Sequence, residues 1–138
     1  MSDDALNLSA TQREQVDRIG LAFMAEFLEI EVRHNPRNVD ALAELGHVYT
    51  RQGRLHEGLA VDRKLVHLVP DNPTAYYNLA CSQALLGEVQ AALESLEQAV
   101  RHGYRDKSFL LNDTDLARLH TEPRFQALVE RLGQASER

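Results

Sequence analysis

Shifted by 34 residues, the sequence falls into register with itself. Ala41 meets Ala75, Leu45 meets Leu79, Gly46 meets Ala80, Gly53 meets Gly87, Leu59 meets Leu93, Val66 meets Val100 and Pro36 meets Pro70. Recurrence at one fixed period of this length belongs to solenoids, whose units hide their apolar faces only against their neighbours. Each unit carries its own physical logic. From Val39 to Gln52 the apolar residues Ala41, Leu42, Leu45, Val48 and Tyr49 fall on one face of a helix. Gly53 follows as a stop, because it accepts the left-handed backbone that ends a helix. A second helical pattern runs through Leu55, Leu59, Leu65, Val66 and Leu68, and Pro70 and Pro73 close it. The next unit repeats the plan with Leu79, Leu85 and Leu86, a stop at Gly87, then Val89, Leu93, Leu96 and Val100. Gly46 and Ala80 stand where two helices of a hairpin approach closely, and a Leu there would overpack the crossing by roughly 1–3 kcal/mol.

The first unit reads Leu42-x-x-Leu45-Gly46-x-x-Tyr49 with Pro70 closing, and the second Tyr76-x-x-Leu79-Ala80-x-x-Gln83, then Ala92-x-x-x-Leu96 and Ala99. These residues resemble the tetratricopeptide repeat family over about residues 36–106. Gly58 and Asp62 depart from the pattern, which prefers Ala and an aromatic there, and Tyr104 stands where the second unit would have its Pro. The segment 103–132 is similar to the closing stretch that follows the last repeat in bacterial proteins of this family, in its Gly-Tyr-Arg-Asp start, Asn-Asp-x-Asp-Leu centre and Pro-Arg-Phe end. The resemblance implies an all-α fold, a short right-handed α-solenoid of antiparallel helix hairpins forming one domain over 1–138. Repeats are expected at 39–72 and 73–106.

Two repeats need terminal elements to cover their open ends. Upstream, residues 9–35 read as a capping helix, N-capped by Ser9 or Thr11, or as a degenerate helix pair split at Gly20. Val16, Ile19, Phe23, Phe27 and Ile30 mark the stripe expected to pack on the first repeat. Downstream, 107–133 is expected to supply capping helices, the last opened by Thr121 or Glu122 before Pro123.

The chemical inventory is sparse. A net charge of −6 argues against nucleic acid, whose phosphates need a basic face. No apolar run approaches the ~20 residues that span a bilayer, so no membrane partner is expected. The start MSDDALNL lacks the basic and apolar stretches of a secretory signal, which predicts a cytoplasmic location. The single Cys81 excludes an intramolecular disulfide and a multi-thiolate zinc site, and it sits mid-helix without a local base. The histidines His34, His47, His56, His67, His102 and His120 form no ligand motif, and no phosphate loop or nucleophile elbow occurs. Asp113 and Asp115 read as caps and turn formers. Neither catalysis, a metal nor a cofactor is expected.

The expected role is a protein–protein interaction module. In the family that the chain resembles, the first helix of each repeat lines a concave face. By position this face takes Asp40, Ala43, Glu44, His47, Thr50 and Arg51 from the first unit and Thr74, Tyr77, Asn78 and Cys81 from the second, extended by Lys107 and Leu111. The expected partner is another protein or a peptide segment. Chaperone-binding members clamp a C-terminal carboxylate with paired Lys/Arg and Asn side chains. Ala43 and His47 occupy the first Lys and Asn places and only Asn78 fits, so no chaperone-tail clamp is expected. The alternatives are a self-associating assembly protein, such as a homodimer through the first helix, and a small secretion-type chaperone.

Overall fold

The computed structural model describes residues 9–136; the start read above as lacking a secretory signal lies in residues 1–8, outside the described residues. Helix α1 spans Ala10–His34, α2 Val39–Arg51, α3 Leu55–Leu68, α4 Pro73–Leu85, α5 Val89–Arg101 and α6 Lys107–Asn112. A 3-10 turn, η1, spans Thr114–Leu119, and α7 spans Pro123–Ser136. No strand occurs among the described residues. The architecture is an all-α solenoid in which α2 pairs with α3 and α4 with α5, while α3 packs on α4 and α1 on α2.

Local chemistry sets the boundaries. Ser9 and Gln12 form a capping box at the start of α1. Asn38 caps α2 through the Ala41 amide, and Asn72 caps α4 through the amides of Thr74 and Ala75, with Pro73 in the first turn. Helices α2, α4 and α5 end alike. Gly53, Gly87 and Gly103 have φ of 77°, 80° and 118°. The amides of Arg54, Glu88 and Tyr104 then bond back to the carbonyls of Tyr49, Gln83 and Ala99. Gly53→Ala is expected to cost about 1 kcal/mol, because a Cβ disfavours this backbone, and a lower urea midpoint at unchanged slope would register it.

The core has a small half and a large half. Ala25, Leu28, Ala41, Leu45, Val48 and Tyr49 join α1 to α2, and Leu42, Leu65 and Ala75 join α2, α3 and α4. The larger cluster surrounds α5: Leu93 and Leu96 meet Leu110, Leu116, Leu119, Phe125, Leu128 and Leu132 from the C-terminal segment. Arg118 donates to the carbonyls of Ala84 and Leu85, satisfying the end of α4. The C-terminal segment therefore closes one end of the solenoid with apolar side chains and a guanidinium.

Helix α1 runs unbroken through Gly20, and it corrects the expected orientation. The stripe Val16, Ile19, Phe23, Phe27 and Ile30 faces solvent, each residue 50–70% exposed. The helix seats its other side, through Ala25 and Leu28, on α2. The α2 face is already filled by Leu45, Val48 and Tyr49, so Ala25 and Leu28 fit against it better than two bulkier phenylalanines. Polar contacts fix the seat: the Tyr49 hydroxyl donates to Glu29 at 3.1 Å, and Arg54 lies 4.3 Å over the Tyr49 ring.

Candidate functional site

A groove of about 530 Å³ opens along α2 and α4 and is closed on one side by the segment after α5. Helix α2 contributes Ala43, Gly46, His47 and Thr50, and α4 contributes Thr74, Tyr77, Asn78, Cys81 and Ser82. Asp62 reaches its floor from α3, while Tyr104, Asp106, Phe109, Asp113 and Asp115 form the far wall. Of the residues expected on the concave face, seven line this groove: Ala43, His47, Thr50, Thr74, Tyr77, Asn78 and Cys81. Asp40, Glu44 and Arg51 are exposed on α2 outside it. Lys107 turns toward α7, its Nζ lying 2.8 Å from where a Cβ on Gly133 would stand. Leu111 borders a separate depression with His120, Phe125 and Val129.

Asp113 organises the far wall. Its Oδ2 accepts from the Tyr77 hydroxyl at 2.5 Å and from the Cys81 thiol at 3.7 Å, and its Oδ1 accepts from the Asp115 amide at 3.0 Å. One carboxylate thus caps η1 and ties the C-terminal segment to α4. The Tyr77 ring stacks on Tyr104 at 4.7 Å and meets Phe109 at 5.7 Å in a tilted contact. Burial, with the Asp113 carboxylate beside it, pushes the Tyr77 hydroxyl well above its ordinary range. Burial and the charges of Asp113 and Asp115 do the same to the Cys81 thiol, which stays protonated. A nucleophilic or metal-binding sulfur needs the opposite environment.

Cys81, Asp113 and Asp115 bring potential ligand atoms within 4.8 Å of one another, a convergence that no local motif announces. Both Asp113 oxygens are already engaged by protein donors, so the cluster reads as a hydrogen-bond network. On the floor, Asp62 is 4% exposed and accepts from the Ser82 hydroxyl. Burial raises its carboxyl to about 6, opposed by the Ser82 hydrogen bond and by His47. Burial and the Asp113 charge likewise raise Asp115. The groove therefore presents four carboxylates and three aromatic rings, and neither Lys nor Arg lines it.

Comparison with known proteins bears on what this architecture is. A model of the tetratricopeptide repeat matches residues 73–101, the span of α4 and α5. The chain is a tetratricopeptide repeat protein. Tetratricopeptide repeat protein 36 of Mus musculus is 32% identical over 97 residues, covering 70% of this chain and 47% of its own. The peroxisomal targeting signal receptor of Komagataella phaffii is 34% identical over 92 residues, covering 67% of this chain and 15% of its own. A chloroplastic protein of Arabidopsis thaliana is 29% identical over 90 residues, covering 63% of this chain. The tetratricopeptide chain spans 27% of that relative's length and 15% of the receptor's. The crystal structure of MamA superposes with a TM-score of 0.68 at 19% identity, covering 92% of this chain and 74% of that one, a likeness of fold. No described helix is long and apolar enough to cross a membrane.

The far wall escaped sequence reasoning. Tyr104 and Asp106 close the second repeat and Phe109, Asp113 and Asp115 lie beyond it, and the contact that recruits this wall joins Tyr77 to Asp113 across 36 positions. One signal was present. The Asn-Asp-x-Asp stretch concentrates acids directly after the aromatic Tyr104 and Phe109.

Proposed function

We propose that this chain is a protein–protein interaction module whose groove holds an extended segment of a partner protein, anchored by a Lys or Arg side chain. The charge of the groove carries the reading: Asp62, Asp106, Asp113 and Asp115 line it with Tyr77, Tyr104 and Phe109, and among the described residues neither Lys nor Arg answers them, His47 being the one basic side chain in the lining. A cation entering there gains charge-assisted hydrogen bonds from exposed Asp106 and half-buried Asp115. The aromatic wall, with Phe109 55% exposed, offers a surface for the aliphatic stem or the guanidinium plane. Ala43, Thr50 and Thr74 leave room for backbone, and the Asn78 amide can pair with it. The same charge disfavours an acidic C-terminal tail, in keeping with the Ala43 and His47 substitutions at the clamp positions.

The test is calorimetry with three amidated or free-ended peptides: one with a central Arg among small apolar residues, its Arg→Glu counterpart, and one ending in EEVD. The Arg peptide is expected to bind with a Kd on the order of 1–100 µM, and the two acidic peptides at least ~10-fold more weakly. Asp106→Asn combined with Asp115→Asn should weaken the Arg peptide by about 10-fold and flatten its salt dependence. Equal binding of the three peptides, or an undiminished double variant, would remove the groove from consideration as the site.

A further inference from the structure

Helix α1 carries two apolar faces, and the described chain covers one of them. Ala25 and Leu28 are buried against α2, with Leu21 and Val32 half-buried beside them. On the other side Val16, Ile19, Phe23, Phe27 and Ile30 stand 50–70% exposed, and Met24, 41% exposed, lies on the flank of this stripe. Scattered exposed apolar residues are ordinary, whereas five on one helix face mark an interaction surface. Every residue from Ala10 to Gly20 is exposed, so the first turns of α1 project beyond the solenoid without tertiary support. Short helices lacking such support are marginal in water. Helices α2 and α3, and α4 and α5, pair as hairpin mates, but the outer face of α1 has no mate among the described residues.

The stripe is symmetric about Phe23. Val16 lies seven residues before it and Ile30 seven after, and Ile19 lies four before and Phe27 four after. A two-fold axis at Phe23 sets Val16 against Ile30 and Ile19 against Phe27 of an antiparallel second helix. An isologous interface requires this kind of self-complementarity. A Cβ on Gly20 would meet nothing within 4 Å, so the site leaves room for an aromatic ring of the second copy. Arg13 and Glu31 share one flank of the stripe, ten residues before and eight after Phe23, so antiparallel pairing brings opposite charges together. The five stripe side chains and Met24 expose roughly 650 Å², so complete coverage in two copies would bury at most about 1,300 Å², at the lower end of the roughly 1,200–2,000 Å² of stable interfaces. The helix has more acidic than basic residues, which disfavours an anionic lipid surface as the occupant.

We propose that the chain forms a two-fold homodimer by antiparallel pairing of α1, centred on Phe23. None of the stripe residues lines the groove, so the interface can be broken without touching it. Sedimentation equilibrium of the full chain from about 1 to 200 µM should show a monomer–dimer equilibrium, and Phe23→Lys should weaken it at least ~100-fold by forcing two charges into the interface. Near-ultraviolet circular dichroism of the tyrosines, which all lie elsewhere, should be preserved in that variant. In a Cys81→Ala background, Phe23→Cys should oxidise to a linked dimer, and Val16→Cys mixed with Ile30→Cys should cross-link. Val16→Cys alone should not, because its two copies would lie about 21 Å apart along the axis. A monomeric wild type throughout, a dimer indifferent to Phe23→Lys, or self-linked Val16→Cys would each overturn the proposal; a different protein covering the stripe would appear as the first of these.

Discussion

Leu96→Ala is expected to lower the free energy of unfolding by about 3 kcal/mol, within the roughly 2–5 kcal/mol that such truncations cost in tight cores. Leu96 is fully buried in α5, in the larger apolar cluster where Leu110, Leu116, Leu119 and Phe125 pack. Helices on both sides constrain its neighbours, so the cavity left by three lost carbons has little freedom to collapse. In a solenoid the loss also acts at an interface between units, because each unit is stable only against the next. Urea unfolding followed by helical circular dichroism should show a lower midpoint. A loss below ~1 kcal/mol would mean that the C-terminal segment is not seated on α5.

How much of this could be read from the sequence follows from what periodicity encodes. Helices α2, α3 and α5 each have a dominant apolar face, α4 is buried on most sides and is marked instead by its 34-residue match to α2, and each of the four has a glycine or proline at its end, so period and punctuation were sufficient. In α1 they were not. Periodicity names faces but not what covers them, and the side chains that look most like core, Phe23 and Phe27, are 70% and 65% exposed. The modest Ala25 and Leu28 hold the helix because α2 offers them a fitting surface. The groove divides in the same way. Its near wall follows from helix position within the repeat, but its far wall depends on one side chain serving two purposes. Asp113 was legible as a turn former, which its Oδ1 bond to the Asp115 amide is; that its Oδ2 also holds Tyr77 is a fact of tertiary packing. The repeats also trade polarity between equivalent places. Tyr49 and Val61 in the first unit correspond to the hydrogen-bonded Gln83 and Ser95 in the second, and Asp62 corresponds to Leu96.

That last exchange sets up the second large effect, Asp62→Asn, which is expected to stabilise the protein by about 2 kcal/mol at pH 8. Burial, opposed by the Ser82 hydrogen bond and by His47, holds the folded-state carboxyl at about 6, above its ordinary value of 3.8. A carboxyl raised in the folded state binds its proton more tightly there than in the unfolded chain. Its contribution to stability is therefore fully present below about pH 4 and is lost as pH rises through about 6. Asn has the same shape and keeps a carbonyl to accept from Ser82, but carries no charge to bury. The two proteins should therefore unfold at similar urea concentrations near pH 4 and diverge toward pH 8, with the variant ahead. Parallel midpoints across that range, or a less stable variant at pH 8, would contradict the burial of the charge. The wild-type aspartate is understandable if the groove takes a cation. A bound Lys or Arg favours the ionised carboxylates of Asp62 and Asp115, so peptide affinity should fall as pH drops through about 6, while stability rises. These opposite trends separate a carboxylate kept for binding from one kept for folding, since a purely structural aspartate would move stability alone.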